Sequence, residues 1–410
     1  MIIKAAWRNI WRNRRRTILT TGSIAFGLLI ALTFTAIQDG SGGKMIDSTA
    51  KMNAGHVTIE PKDFLKARSM DETVRDVTPI IRQASALPEV SGTNVRIMGQ
   101  CMASTASGSV GAAIYGINYE AEKGTLYVLD HITSGEGLSE GDTKSVLIGR
   151  KMTELLDLKL HSKLVVTLTD KRGEVVSGLL KVKGIFETGV PSVDRSVIIV
   201  PINWARGILG YGGNEANVVA IQLKDRNSAG RIAGIMEPAA KAEGTEAYTW
   251  RQTMPDLYTM LSMKQSSNRV LFLFIFVIIG AGILNTVLMG VMERLPELGV
   301  MRAIGMSPLK LWLSIMAETI MIGMVGILIG IIISSPLLYR LATHGLNMSS
   351  MLANKATTGN IAFEPIFRAE ISMNHMVPII AGVMIVIILA GLYPSILAAR
   401  IKPLNAIKSI

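Results

Sequence analysis

The chain has 410 residues, 49% of them hydrophobic and only 18% charged, with a net charge of +11 and a mean hydropathy of +0.39. A soluble protein carries roughly 25% charged residues, and the deficit is local, because residues 17–38, 270–292, 319–339 and 371–399 contain no Asp, Glu, Lys or Arg. The charge excess is local too. Residues 39–268 hold 26 basic and 26 acidic side chains, so the one large hydrophilic segment carries no surplus charge, which argues against a nucleic-acid partner.

At the N-terminus, residues 1–16 carry Lys4, Arg8, Arg12, Arg14, Arg15 and Arg16 and no acid. Trp7 and Trp11 are four apart and share a helical face with Ile3 and Ile10. This pattern predicts a cytoplasmic interfacial helix, with indoles at headgroup depth and arginines toward anionic lipid. The charge-free run at 17–38 follows. A helix rises about 1.5 Å per residue and needs roughly 20 residues to cross about 30 Å of hydrocarbon, so this run predicts a first span. It is longer than a usual signal h-region, and no small-residue cleavage pattern follows it, so it reads as a retained anchor.

Residues 39–268 form the predicted extracytoplasmic domain. Polar, helix-friendly sequence runs to about Asn53, then Val57, Thr58 and Ile59 read as a strand. Residues 71–86 read as a helix with Val74, Val77, Ile80, Ile81 and Ala84 on one side, although Pro79 falls inside it. Strand-like runs follow at 94–98, 112–116, 145–148, 163–169, 175–185 and 196–200, with a hairpin turn at Asp170, Lys171, Arg172 and Gly173. Helices fit 151–156, 204–209 and 229–242, and 255–265 reads as a helix leading directly into the second span. The domain is α+β, with strands dominating its centre. Its single cysteine, Cys101, has no partner for an intramolecular disulfide.

The second span is expected at 269–292, a short connecting helix within 293–310, the third span at 311–339, a loop at 340–373, the fourth span at 374–399 and a basic tail at 400–410. Pro296 can open the connecting helix, Glu297 suits its first turn and Gly305 can close it. Arg294, Arg302 and Lys310 place this loop inside by the positive-inside rule, together with both termini, which leaves 39–268 and the 340–373 loop outside. The predicted fold is an α-helical membrane protein of four transmembrane helices with a large α+β domain inserted between helices 1 and 2.

Chemistry-bearing motifs are absent. Gly42, Gly43 and Lys44 lack the spacing of a phosphate-binding loop. The histidines His56, His131, His161, His344 and His375 are scattered, with no acid at ligand spacing. No catalytic residue and no metal site are expected. Glu318 is the one acid within reach of the apolar layer, placed to pair with Arg302 or Arg294 or else to be solvated. Asn285 is the polar point of the second span and is expected to bond between helices. Gly280, Gly282, Gly290, Gly323, Gly326 and Gly330 are expected to permit close helix approach.

The connecting loop carries a recognisable pattern in Glu293, Arg294, Glu297, Gly299, Arg302, Ala303, Gly305 and Ser307. It resembles the coupling segment of FtsX/MacB-like (type VII) ABC-transporter permeases. Trp7, Arg8 and Asn9 with Arg14–Thr17 resemble that family's N-terminus, and Ala398, Ala399, Arg400, Pro403, Ala406 and Ile407 its C-terminal signature. Gly184, Ile185, Phe186, Glu187, Gly189 and Asp194, with the run 197–201, look most like the lipoprotein-releasing members. The resemblance implies a bacterial inner-membrane permease that pairs with an identical or homologous second permease. It also implies a separate cytoplasmic ATPase dimer, which binds the ATP and Mg, and no enzyme activity in this chain. The eight loop residues would couple ATP hydrolysis to motion of the external domain, a mode of action called mechanotransmission. Lipoprotein release from the inner membrane is the expected task. MacB-like export of peptides or drugs and FtsX-like control of a cell-wall hydrolase are the alternatives.

Overall fold

The computed structural model describes residues 12–62, 64, 70–139, 141–347 and 366–400. The expected interfacial helix around Trp7 and Trp11 and the tail beyond Arg400 lie outside them. The chain divides into two units. One takes the chain up to Gly42, residues 261–348 and the chain from Ile366, and the other takes residues 43–260 with 349–365.

Four helices, Arg14–Met52, Pro255–Glu293, Pro308–His344 and Met373–Ala399, are long and apolar enough to cross a bilayer. The first two have 39 residues each. At about 1.5 Å per residue that is close to twice the hydrocarbon thickness. The boundaries expected at residues 38 and 269 therefore mark where charge returns to the sequence, not where helix ends. Residues 39–52 and 255–268, assigned by sequence to the external domain, continue the helices.

In the first unit the core is built from Ile24 and Leu28 of the first helix, Ile279 and Ile283 of the second, Ile327 of the third, and Val383 and Ile387 of the fourth. The opposite faces expose Phe274, Ile278, Leu328, Ile332, Ile385 and Leu389, as a lipid-facing bundle requires. Three glycines of the third helix set its separation from its neighbours. A Cβ built at Gly323 would lie 2.6 Å from Ile387, one at Gly326 2.9 Å from Ile24, and one at Gly330 3.1 Å from the Ala25 Cα. Gly282 and Gly290, expected to act in the same way, do not. Gly282 has open space beside it, and Gly290 leaves room for the Arg16 guanidinium instead of for a helix. At the other end of this unit, polar pairs join the helices. Asp39 bonds His375 (2.7 Å), Gln38 donates to Asn268 (3.1 Å) and Lys264 donates to Ser41 (2.9 Å).

The second unit is built on a ten-stranded sheet. Its strands are β1 (Val57–Pro61), β2 (Val90–Thr105), β3 (Gly108–Ile117), β4 (Ile132–Gly135), β5 (Ser145–Gly149), β6 (Lys163–Thr169), β7 (Val175–Phe186), β8 (Val197–Pro201), β9 (Val218–Leu223) and β10 (Thr245–Thr249). β2 has 16 residues and changes partner along one edge, pairing β9 through Val90–Arg96 and β6 through Met102–Ser104. Its other edge pairs β3 from Arg96 to Thr105. The ladder then runs β3–β8–β5–β7–β6 and returns to β2, closing a six-stranded ring. β9, β1 and β10 continue outward from β2. The β6–β7 hairpin turns at Asp170, whose carboxylate accepts from the Arg172 and Glu174 amides, with Gly173 at φ +83°.

The helix expected over 71–86 is shorter in the structure, Thr78–Ser85, with Pro79 in its first turn and Val74 in a bridge to Ala216. Proline is accommodated at a helix start, where its missing N–H costs nothing, and the same residue forbids a continuous helix through it. β4, β9 and β10 match none of the strand-like runs of the sequence. Inside the unit, Arg96 and Glu122 form a bidentate pair (2.5 and 2.8 Å) with side chains 0% and 1% exposed. Cys101 is buried in β2, and burial pushes its thiol up to about 12, which leaves it unreactive.

Candidate coupling site

The site lies at the end of the bundle that carries the short connecting helix, Leu295–Ala303. This helix forms because Pro296 sits in its first turn, Glu297 follows near the positive end of the dipole and Arg302 lies in the last turn. Arg302 donates to the Met306 carbonyl (3.0 Å), closing the C-terminal turn, and Gly305 reverses the chain at φ +104°. Ser307 then caps the third long helix by accepting from the Lys310 amide (3.4 Å), with Pro308 at its start. Leu298 and Gly299 face the bundle and are buried.

An ion network joins four segments here. Arg12 donates to both carboxylate oxygens of Glu297 (2.7 and 3.0 Å). Arg294 reaches Glu297 at 3.5 Å and both oxygens of Glu318 at 3.1 and 3.4 Å. Arg16 approaches Glu293 at 3.8 Å. Of the expected partners for Glu318, Arg294 is the one found; its carboxyl is not simply solvated, being only 15% exposed, and Arg302 is spent on its own helix end. The hydrogen bond from Arg12 holds the Glu297 carboxyl below the ordinary carboxylate range.

The outward side of the connecting helix sets apolar side chains beside Glu297. Ile304 is 82% exposed, and Val300 and Leu309 are exposed beside it, with Ala303 and Gly305 also on the surface. Behind the helix lies a cavity of about 880 Å³ that reaches from Arg12, Arg294 and Lys310 to Val287 and Ile322. Asn285, expected to bond between helices, instead lies on the exposed face of the second long helix. Its neighbour Thr286 returns its hydroxyl to the Gly282 carbonyl (2.7 Å).

Residues 269–403 match the FtsX-like permease C-terminal family, and residues 17–239 match the MacB-like periplasmic core domain. The chain belongs to the FtsX/MacB-like ABC-transporter permeases. Similar proteins include the lipoprotein-releasing system transmembrane protein LolC of Xylella fastidiosa strain Temecula1. It is 22% identical over 400 residues, covering 94% of this chain and 92% of that one. The pyoverdine export ATP-binding/permease protein PvdT of Pseudomonas entomophila is 23% identical over 437 residues, covering 99% of this chain and 59% of that one. Among solved structures, the periplasmic region of MacB from Actinobacillus actinomycetemcomitans covers 52% of this chain and 98% of its own, at 12% identity and a TM-score of 0.37.

The chain is thus a multi-pass inner-membrane permease with a MacB-like periplasmic domain between its first and second helices. The structure brings Glu293, Arg294, Glu297 and Glu318 of this permease into one network and keeps Arg302, Gly305 and Ser307 as the frame of the connecting helix. Sequence reasoning missed Arg12 and Arg16 as members, because a basic N-terminus is accounted for by topology, lipid contact and the family pattern without any pairing to the connecting helix. It also passed over Val300 and Ile304. Apolar residues beside a polar helix read as packing until their exposure is known.

Proposed function

We propose that this permease couples a separate cytoplasmic ATPase dimer, loaded with ATP and Mg, to motion of its periplasmic domain, and that the cargo is lipoprotein released from the inner membrane. One observation carries the reading: a short helix at one end of the bundle presents exposed Val300 and Ile304 beside the half-exposed Glu297, with Leu309 nearby, while buried Leu298 and the Arg294–Glu318 pair hold it to the bundle. Burying such side chains in a partner contributes about 1.5–3 kcal/mol each, enough to seat an ATPase. Leu298 and the Arg294–Glu318 pair tie that helix to the long helices, so a push on it is carried along two helices that run on without a break beyond the span length. Asn285, on the exposed face of the second span, fits a contact with a second permease, identical or homologous, because an uncovered amide in hydrocarbon is costly. The lipoprotein cargo is favoured by the near-complete mutual coverage with LolC. The similarity to PvdT favours a second reading, export of a small molecule from the periplasm.

Ile304→Asp tests the coupling. The full-length variant is expected to insert normally but lose co-purification of the ATPase and ATP-dependent lipoprotein release from spheroplasts. Undiminished capture and release would refute the docking face. Wild-type complex that hydrolyses ATP yet releases no lipoprotein while expelling a small peptide or drug would move the cargo to the second reading.

A further inference from the structure

The cavity behind the connecting helix has a chemistry that ATPase docking does not use. At about 880 Å³ it lies within the range of ligand pockets, roughly 300–1,000 Å³. Its mouth is cationic, with Arg12, Arg16, Arg294 and Lys310 against two acids, Glu297 and Glu318. Both acids are already satisfied by Arg12 and Arg294. The two cations left over are poorly matched. The Arg16 side chain is 20% exposed, and its ion pair with Glu293 is long at 3.8 Å. Lys310 forms no ion pair among the described residues. The inner walls are apolar, formed by Val287, Val291, Ile315 and Ile322. From Lys310 to Ile322 the third helix rises about 18 Å, so the cavity runs from charge at one end to hydrocarbon-like walls at the other.

We infer that this cavity holds one anionic phospholipid of the cytoplasmic leaflet. Its phosphodiester sits against Arg16 and Lys310 and the upper part of an acyl chain lies along Val287, Val291 and Ile322. A free phosphate would satisfy the mouth and leave the apolar walls unfilled, and a neutral lipid would leave the two cations without a counter-charge. Gly290 belongs to this device, since a side chain there would collide with the Arg16 guanidinium. The bound lipid braces the connecting helix from within, so anionic lipid becomes a condition for coupling. The inference rests on the permease reading only for the position of the bilayer.

The test is native mass spectrometry of the full-length protein released from nanodiscs, titrated with phosphatidylglycerol, phosphatidylcholine or inorganic phosphate. Wild type is expected to retain one phosphatidylglycerol, with a preference over phosphatidylcholine. The double variant Arg16→Gln/Lys310→Gln is expected to weaken that retention about thirtyfold. Val291→Phe, which fills the cavity without touching charge, is expected to lose the lipid as well. Equal retention by both variants, indifference between the two lipids, or full displacement by inorganic phosphate would each overturn the assignment. ATPase capture is scored in the same preparations, so failure of the Ile304 docking face is seen separately from failure of lipid retention.

Discussion

Two arginine–glutamate pairs in this protein are similar in bond length and opposite in setting, Arg96 donating through Nε and Nη2 and Arg12 through Nη2 alone. Arg96 and Glu122 meet at 2.5 and 2.8 Å inside the periplasmic domain with side chains 0% and 1% exposed. Arg12 and Glu297 meet at 2.7 and 3.0 Å at the connecting helix with side chains 56% and 48% exposed. The first pair has given up its water and has no other partner to turn to. Breaking it strands a charge in a low-dielectric interior. The second keeps its water, so it opens and closes at little cost, as the proposed coupling to a partner requires. Bond length alone does not separate a structural fork from a movable one; burial does.

The buried fork should show the largest effect. Arg96→Met leaves Glu122 unpaired and is expected to destabilise the domain by about 3–5 kcal/mol, while Arg96→Met with Glu122→Leu recovers most of that loss. Denaturant unfolding of the full-length protein, followed through the tryptophans of the domain, measures both. Equal losses in the single and double variants would mean that packing, not stranded charge, sets the cost. The exposed fork should show the reverse profile. Glu297→Lys is expected to leave membrane abundance and unfolding unchanged and to abolish ATP-driven cargo release, because it turns attraction to Arg12 and Arg294 into repulsion. Transport at the wild-type rate would remove Glu297 from the coupling path.

The smallest effect belongs to Arg12→Ala. An exposed pair contributes well under about 1 kcal/mol, and salt weakens it further. The sensitive readout is the Glu297 carboxyl itself. Its pKa in the folded protein is held below the ordinary value by Arg12. The stabilisation from this pair is therefore complete above the unfolded carboxylate pKa and disappears as pH falls through the depressed folded value. In Arg12→Ala the carboxyl should titrate at higher pH, closer to an ordinary glutamate, as followed by carbonyl NMR of a Glu-labelled sample. An unmoved titration would show that Arg294 alone suffices.

Parts of this molecule were legible because their physics is local. Four charge-free runs announce four helices, since a helix in a soluble core rarely stays uncharged over such length. The β6–β7 hairpin was legible from Asp170 to Gly173, because turn geometry demands those residues. β9 was missed for a physical reason as well. Val218–Leu223 is buried on every residue, so it has no alternation to betray a strand. The first half of the helix expected at 71–86 had the right apolar spacing, yet Pro79 opens the helix and Val74 pairs with Ala216 instead. At the coupling site, the connecting helix and its acids were readable from Pro296, Glu297 and Gly305. The choice of Arg294 over Arg302 for Glu318 was not, because both stand on the same short loop and only helix packing separates them.

The residue pattern alone determined the membrane class, the count of spans, the inserted domain and the family, all of which follow from hydropathy, charge placement and short motifs carried within a few residues of one another. The tertiary structure decided the closure of the six-stranded ring, the pairing of His375 with Asp39 and of Arg12 with Glu297, and the cavity behind the connecting helix. Each of these joins residues far apart in the chain, and a one-dimensional pattern carries no term for which distant side chains will share a buried volume.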